Sequence, residues 1–235
     1  MEFEEKKLKI RRYIIIGIVA VLVLIFIISL VKIVKKDEVE SSNFIKQSAS
    51  YTIPGTKISS YLPTVTIDGA DTQNVNEEIK EDYDEVVSNG KSSFNYQYSI
   101  NNNYFSLVTI TLLVDEETGY TYPVFKTYNF SLSTNRLVED EELLAAFNKT
   151  DDDISTTLEN KFEEYYQGEL DKKYLNKNEC DYACFLERRK VDSYDEENYL
   201  YVEDNTLKFF HGFMIFSNIG EEEFYKDENF LYTVE

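Results

Sequence analysis

Cys180 and Cys184, in "ECDYACF", are the only cysteines of this 235-residue chain, and His211 is its only histidine. An even cysteine count favours a disulfide in an oxidising compartment, with free thiols or a redox-active pair as the alternatives. The spacing is awkward for a bridge. At i, i+4 on a helix the Cα atoms lie about 6 Å apart, but both Cβ atoms lean the same way and the bridge is strained. In a loop it closes easily, although so short a ring removes little chain entropy. A lone histidine rules out a His-pair metal site, and a zinc site built from Cys180, Cys184 and His211 lacks a fourth protein ligand. Serine–histidine chemistry could use only His211, and neither a G-x-S-x-G elbow nor a Gly-rich phosphate loop accompanies it. His211 shares a strand face with Leu207, Phe209, Phe213 and Ile215, which reads as a packed histidine with one hydrogen bond.

Carboxylates are the abundant chemistry, 44 Asp and Glu against 24 Lys and Arg, for a formal net charge of −20. "DDDIS", "DEETG" and "GEEEF" offer oxygens for calcium, but none has the alternating D-x-D-x-D-G loop spacing. A pair of carboxylates for glycoside cleavage needs a defined separation, and the excess of acids makes any one pair uninformative. Glu139, Asp140, Glu141 and Glu142 follow the turn "STNR" at a helix start, where unpaired N–H groups and the positive end of the dipole favour carboxylates. They read as a junction rather than a site. We therefore expect no catalytic residue, cofactor or metal ligand, and one candidate disulfide, Cys180 with Cys184.

The elements that would position any site begin with an anchor. Tyr13 to Val31 is a run of 19 uncharged residues, and at ~1.5 Å per residue such a helix nearly matches a ~30 Å hydrocarbon core. A buried soluble helix rarely goes so far without a polar face. A cleaved signal peptide is the stronger rival, but the run is longer than its apolar region and ends in "SLVKIVKK" without a small-residue cleavage site. The reading is a tail at 1–12, a transmembrane helix at 13–34 (Tyr13 to Val34), a flexible tether at 35–60 and a folded domain at 61–234 with subregions of about 61–135 and 136–234. Five basic residues precede the run and three follow it, which favours a cytoplasmic N-terminus. Residues 37–235 hold 16 Lys and Arg against 41 Asp and Glu, a net of −25. A domain so acidic repels nucleic acid and anionic lipid and attracts cations or basic proteins.

Within the domain, "YLPTVTIDG" predicts a strand with Pro63 near its start, and Val75, Ile79, Tyr83 and Val86 recur at helical spacing after the candidate caps Asp71 and Asn74. "FNYQYSI" alternates strictly, with Phe94, Tyr96, Tyr98 and Ile100 on one side. The "NNN" turn leads into "YFSLVTITLLV", and the chain returns along Tyr120 to Leu132. A short acidic helix and a second helix with the stripe Ile154, Leu158, Phe162 and Tyr165 follow, then about three strands within 199–234. The order β-α-β-β-β, helices, then strands is an α+β pattern of antiparallel sheet packed with helices.

The anchor, "VNEEIKEDYDEVV", the Tyr-rich hairpin and "TYNFSLSTNRLVEDEELL" together resemble bacterial extracytoplasmic domains of the PdaC/RsiV-like type. That type is found in a lysozyme-sensing anti-sigma factor and in the non-catalytic N-terminal domain of a peptidoglycan deacetylase. The resemblance covers about residues 61–234. It implies a single-pass protein of the plasma membrane whose extracytoplasmic domain binds or senses a basic protein such as lysozyme, or peptidoglycan fragments. Only 12 residues precede the span, too few for a sigma-binding domain, and "FFHGFMIFSNIG" replaces the run usual near the penultimate strand. No deacetylase catalytic domain is present. A wall-glycan enzyme using a carboxylate pair, and a structural subunit of an envelope complex, are the alternatives.

Overall fold

The computed structural model describes residues 43–69, 71–101, 103–114, 121–188, 199–219 and 222–234. The expected tail, the span Tyr13 to Val34 and the first part of the tether lie outside these residues. Among the described residues no helix is long and apolar enough to cross a membrane. Asn43–Glu235 forms one compact unit.

The chain is α+β, and its sheets are antiparallel. Strands β1 (Ile45–Thr52) and β2 (Ser59–Val65) pair as a hairpin. Helix α1 (Asp71–Asn89) leads to β3 (Ser93–Ile100), β4 (Tyr104–Val114), β5 (Thr121–Ser131) and the two-residue β6 (Arg136–Leu137), which form a second sheet in that order. Helices α2 (Asp140–Ala146), α3 (Asp151–Asp171) and α4 (Tyr182–Arg188) precede β7 (Tyr199–Glu203), β8 (Thr206–Ile219) and β9 (Glu222–Thr233), the third sheet.

Strand β1 corrects the expectation of a tether reaching to residue 60. "IKQSASYT" lacks a strand's usual apolar alternation, and a partner supplies what composition does not. Its backbone pairs along β2 from Ile45↔Val65 to Thr52↔Ser59, and Ile45 is buried at one end. Pro63 stands not at the start of β2 but opposite a β-bulge at Ser48, where the ladder is already interrupted and a missing N–H is tolerated.

Three apolar clusters hold the unit together. Helix α1 buries the expected face, Val75, Ile79, Tyr83 and Val86, against Leu62, Val65, Phe94, Phe105, Leu107, Tyr128 and Phe130. Strand alternation sends Val108, Ile110 and Phe125 to the opposite face of the second sheet, where they meet Tyr201 and Phe210 of the third. The Phe125 and Phe210 rings stack with centroids 4.9 Å apart. The far side of the third sheet, through Leu200, Val202, Leu207, Phe209 and Tyr232, packs on Leu143, Ile154, Phe162, Tyr166 and Phe185 of the helices. On α3 the buried stripe runs Ile154, Thr157, Phe162, Tyr166 and Glu169, rotated slightly from the expected one, and Leu158 and Tyr165 are half-buried at its margin.

One polar pair crosses the middle of this stack. Ser106 is fully buried on β4 and Asn129 nearly so on β5, both on the face turned to the third sheet. The Ser106 hydroxyl donates to Asn129 Oδ1 at 2.6 Å and accepts from the Val202 N–H at 3.2 Å. Asn129 Nδ2 donates to the Leu200 carbonyl at 2.9 Å. Strand β7 lies at the edge of its sheet, so its outward N–H and C=O groups would otherwise be unpaired in the interior. The Asn129 carbonyl also accepts from Val138 N–H at 2.7 Å, which fixes the turn after β5.

That turn is held from the other side as well. Asp71 Oδ2, at the start of α1, accepts from the Leu137 N–H at 2.9 Å. Gly69 lies so close that a Cβ there would stand 2.1 Å from the Asn135 carbonyl oxygen. Asn135 itself takes φ 53°, a left-handed conformation that asparagine tolerates better than most side chains.

Replacing Asn129 by Ala removes a donor and an acceptor while leaving the Leu200 carbonyl and the Ser106 hydroxyl buried. We expect a loss of roughly 2–4 kcal/mol in denaturant unfolding. Asn129→Asp cannot donate to Leu200 and adds a buried charge, so it should be worse than Ala. An aspartate variant as stable as the parent would show that the pair does not carry this load.

Candidate functional site

The first turns of α1 and the β1–β2 hairpin enclose an open cleft of about 660 Å³. The bulge in β1 builds one wall: the register slips between Gln47 and Ala49, and the extra residue, Ser48, places its hydroxyl 2.6 Å from Thr64 Oγ1 and 3.3 Å from the Leu62 carbonyl. The other wall is α1. Asn76 pairs with the backbone of Val65 in both directions, its Oδ1 accepting from the N–H at 2.8 Å and its Nδ2 donating to the carbonyl at 2.9 Å. An amide side chain here does what a neighbouring strand would do. Thr72 Oγ1 donates to the Ile67 carbonyl at 2.7 Å and fixes the approach to the helix. Asp68, Gln73, Glu77 and Lys80 line the cleft, with Leu62 and Ile67 as its apolar surface.

This lining can hydrogen-bond a polyol or a peptide. Ser48 faces a hydroxyl and a carbonyl, and neither takes up a proton at neutral pH. The lone histidine is elsewhere: His211 is buried on β8 opposite Phe230 of β9. Among the described residues no three His, Cys, Asp or Glu side chains are grouped to hold a metal ion.

Further along α1, Lys126 of β5 reaches across the helix face to Glu78 at 3.2 Å and Asp82 at 2.9 Å. Beneath them the Tyr128 hydroxyl is buried and makes no hydrogen bond of proper geometry. Burial first, then the negative charge of Glu78 and Asp82, pushes this phenol well above its ordinary range. It is therefore a neutral, non-nucleophilic tyrosine. Glu169, at 1% exposure the one buried carboxylate among the described residues, lies near the end of α3 with Lys172 Nζ at 3.4 Å. It does not line the cleft, whose carboxylates are Asp68 and Glu77.

The acidic junction is resolved in detail. Glu139 to Glu142 are exposed, and Arg136 from the turn pairs with Glu142. That contact lowers the Glu142 carboxyl below its ordinary value and raises the guanidinium. The next acidic run starts with a capping box that the carboxylates obscured: Thr150 Oγ1 accepts from Asp153 N–H at 3.3 Å, and Asp153 Oδ2 accepts from Thr150 N–H at 2.8 Å. Threonine is a common N-cap residue, and Thr150 stands directly before "DDD" in the sequence. Asn74 proves not to be a cap, since α1 already starts at Asp71.

Cys180 and Cys184 are joined, with Cα atoms 5.2 Å apart. The bridge is neither wholly helical nor in a free loop. Cys180 precedes α4 and Cys184 lies in its first turn, where Cys184 N–H donates to Asp181 Oδ1 at 3.0 Å. Tyr166 of α3 donates its hydroxyl to the Cys180 carbonyl at 3.1 Å, tying the ring to the core. With both sulfurs bonded to each other, neither is a thiolate ligand.

Two outcomes follow from these contacts. A Cys180→Ala, Cys184→Ala double variant should keep its fold and lose about 2 kcal/mol or less, since a five-residue ring restrains little of the unfolded chain; complete unfolding in thermal melts would contradict this. Asp153, depressed chiefly by its backbone bond from Thr150, contributes stability that is present above its ordinary value of 3.8 and is lost as pH falls through the lower folded-state value. The Tm gap between the parent and Asp153→Asn should therefore be full at neutral pH and close on acidification below 3.8; a gap that widens in acid would reverse the assignment. Comparison of the chain with protein families, curated proteins and solved structures gives no match.

Proposed function

We propose that the chain is a single-pass protein of a bacterial plasma membrane, anchored through Tyr13 to Val34 with its N-terminus in the cytoplasm. On this reading it displays a non-catalytic, PdaC/RsiV-like binding or sensing domain outside the membrane. The observation that carries this is the pairing of an uncharged 19-residue run with a folded unit whose only two cysteines are joined. A disulfide persists where glutathione does not reduce it, outside the cytoplasm, and the basic residues flanking the run agree with that side. The net charge of −25 over residues 37–235 favours a basic protein such as lysozyme over nucleic acid. The open, hydroxyl- and amide-lined cleft beside α1 suits a wall-derived glycan or peptide.

The full chain in nanodiscs, titrated with lysozyme and with an equally basic unrelated protein, tests the reading. Binding of lysozyme alone that survives physiological salt is the expected result. Equal binding of both that disappears with salt would reduce the −25 charge to a non-specific field and turn the search to wall fragments and to a structural partner in an envelope complex. Release of soluble fragments from purified wall would favour the carboxylate-pair enzyme instead.

A further inference from the structure

The cleft beside α1 is selective in the hydrogen bonds it has left to offer. Each side chain of its lining that can donate already does so within the unit. The hydroxyl protons of Ser48 and Thr64 are taken up between those two oxygens and the Leu62 carbonyl, and that of Thr72 by the Ile67 carbonyl. Asn76 Nδ2 donates to the Val65 carbonyl, Gln73 Nε2 to Glu77 Oε1 at 2.8 Å, and Lys80 Nζ to Asp84. Acceptors are what remain. Glu77 keeps its second carboxylate oxygen and Gln73 its amide oxygen, while Asp68 is exposed and hydrogen-bonded to none of the described residues.

Charge follows the same pattern. Asp68, Glu77 and Lys80 are the charged side chains of the lining. Lys80 pairs with Asp84, which is not part of the lining, so the two carboxylates of the cleft are left without a cation of their own. The surface beside them is apolar: Leu62, Pro63 and Ile67 are buried residues of the same lining. A sugar hydroxyl brings an acceptor with every donor, so a polyol in such a cleft must turn its oxygens to water. A guanidinium or ammonium group only donates, and it stands on an aliphatic stem that packs on apolar surface.

We propose that the cleft receives an arginine side chain of a basic partner protein, its stem along Leu62, Pro63 and Ile67 and its charged head on Asp68 and Glu77. The inference deepens the reading of a basic partner given above and rests on it. The net charge of −25 over residues 37–235 attracts any basic surface over roughly a Debye length, without regard to shape. The cleft adds recognition of one side chain through its hydrogen bonds. Arginine suits it better than lysine, because a planar fork presents several donors at once to acceptors held on a fixed wall.

The full chain in neutral-lipid nanodiscs is titrated by calorimetry with a capped tri-arginine peptide, with the same peptide carrying citrulline in place of arginine, and with an uncharged trimer of N-acetylglucosamine. Two double variants stand beside the parent: Asp68→Asn with Glu77→Gln, and Asp152→Asn with Glu163→Gln, which removes the same charge from exposed positions on α3. The arginine peptide should bind the parent about tenfold more tightly than the citrulline peptide or the sugar, lose about tenfold in the first variant and keep its affinity in the second. Equal losses in the two variants, no binding of the arginine peptide to the parent, or a sugar bound more tightly than the peptide overturns the proposal. Lysozyme titrated against the same three proteins separates this inference from the reading beneath it. Specific lysozyme binding that is unchanged in Asp68→Asn with Glu77→Gln overturns the role of the cleft and leaves a basic partner standing. Absence of specific lysozyme binding beside the expected arginine result removes that partner and upholds the cleft.

Discussion

The architecture depends on how one edge strand is received. Strand β7 ends its own sheet, and the direction of its unpaired N–H and C=O groups is inward, towards the back of the β3–β6 sheet. A backbone left open in that place would cost more than the apolar contacts around it return. Ser106 and Asn129 supply one acceptor and one donor at the two required points, Val202 N–H and Leu200 C=O. The two side chains also satisfy each other. With that edge closed, β7 can send Leu200 and Val202 to the helical side and Tyr201 to the inter-sheet side. Both halves of the unit are then held by one polar pair surrounded by aromatic packing.

The same pair explains a pattern in the sequence. In "TYNF" an asparagine interrupts a run of bulky strand residues, and alternation assigns it a place on the face opposite Tyr128 and Phe130. Tyr128 and Phe130 enter the cluster shared with α1, and Asn129 faces the third sheet. Local pattern was enough to tell which face the asparagine takes. Its partner could not be read, because Leu200 is 71 residues away and nothing in a backbone carbonyl's own sequence marks it as needing a donor. Asn76 illustrates the same limit. On a helical wheel it is one polar residue among many, and its two bonds to Val65 exist only because β2 presents an open edge there.

Elements with their own periodicity were legible: α1 by its buried face, the β3–β4 hairpin by strict alternation, β7 and β8 by aromatic runs around a polar turn. That turn uses Asp204 and Asn205 at φ 51° and 57°, residues whose short polar side chains accept the left-handed region. Strand β1 was not legible, because Lys46, Gln47, Ser48 and Ser50 give it the composition of a linker. Pairing with β2, burial of Ile45 and the bond from Thr66 to Phe44 order it all the same. The acidic run Glu139 to Glu142 does lie at a helix start, as expected, and its carboxylates have more specific partners than the dipole. Dipole complementarity accounts for carboxylates near a helix start in general, whereas Arg136 and the Thr150 box account for Glu142 and Asp153 in particular.

Placing the folded boundary at Asn43 instead of Tyr61 also decides what the candidate site is made of. The cleft beside α1 takes one wall from the β1–β2 hairpin, through Ser48 and Thr64. The bulge at Ser48, which interrupts the β1–β2 ladder, is what brings that hydroxyl to Thr64 Oγ1 and the Leu62 carbonyl. A fold that began at Tyr61 would leave β2 without its ladder partner and the cleft without that wall. The site therefore rests on β1, the strand that composition alone assigned to the linker.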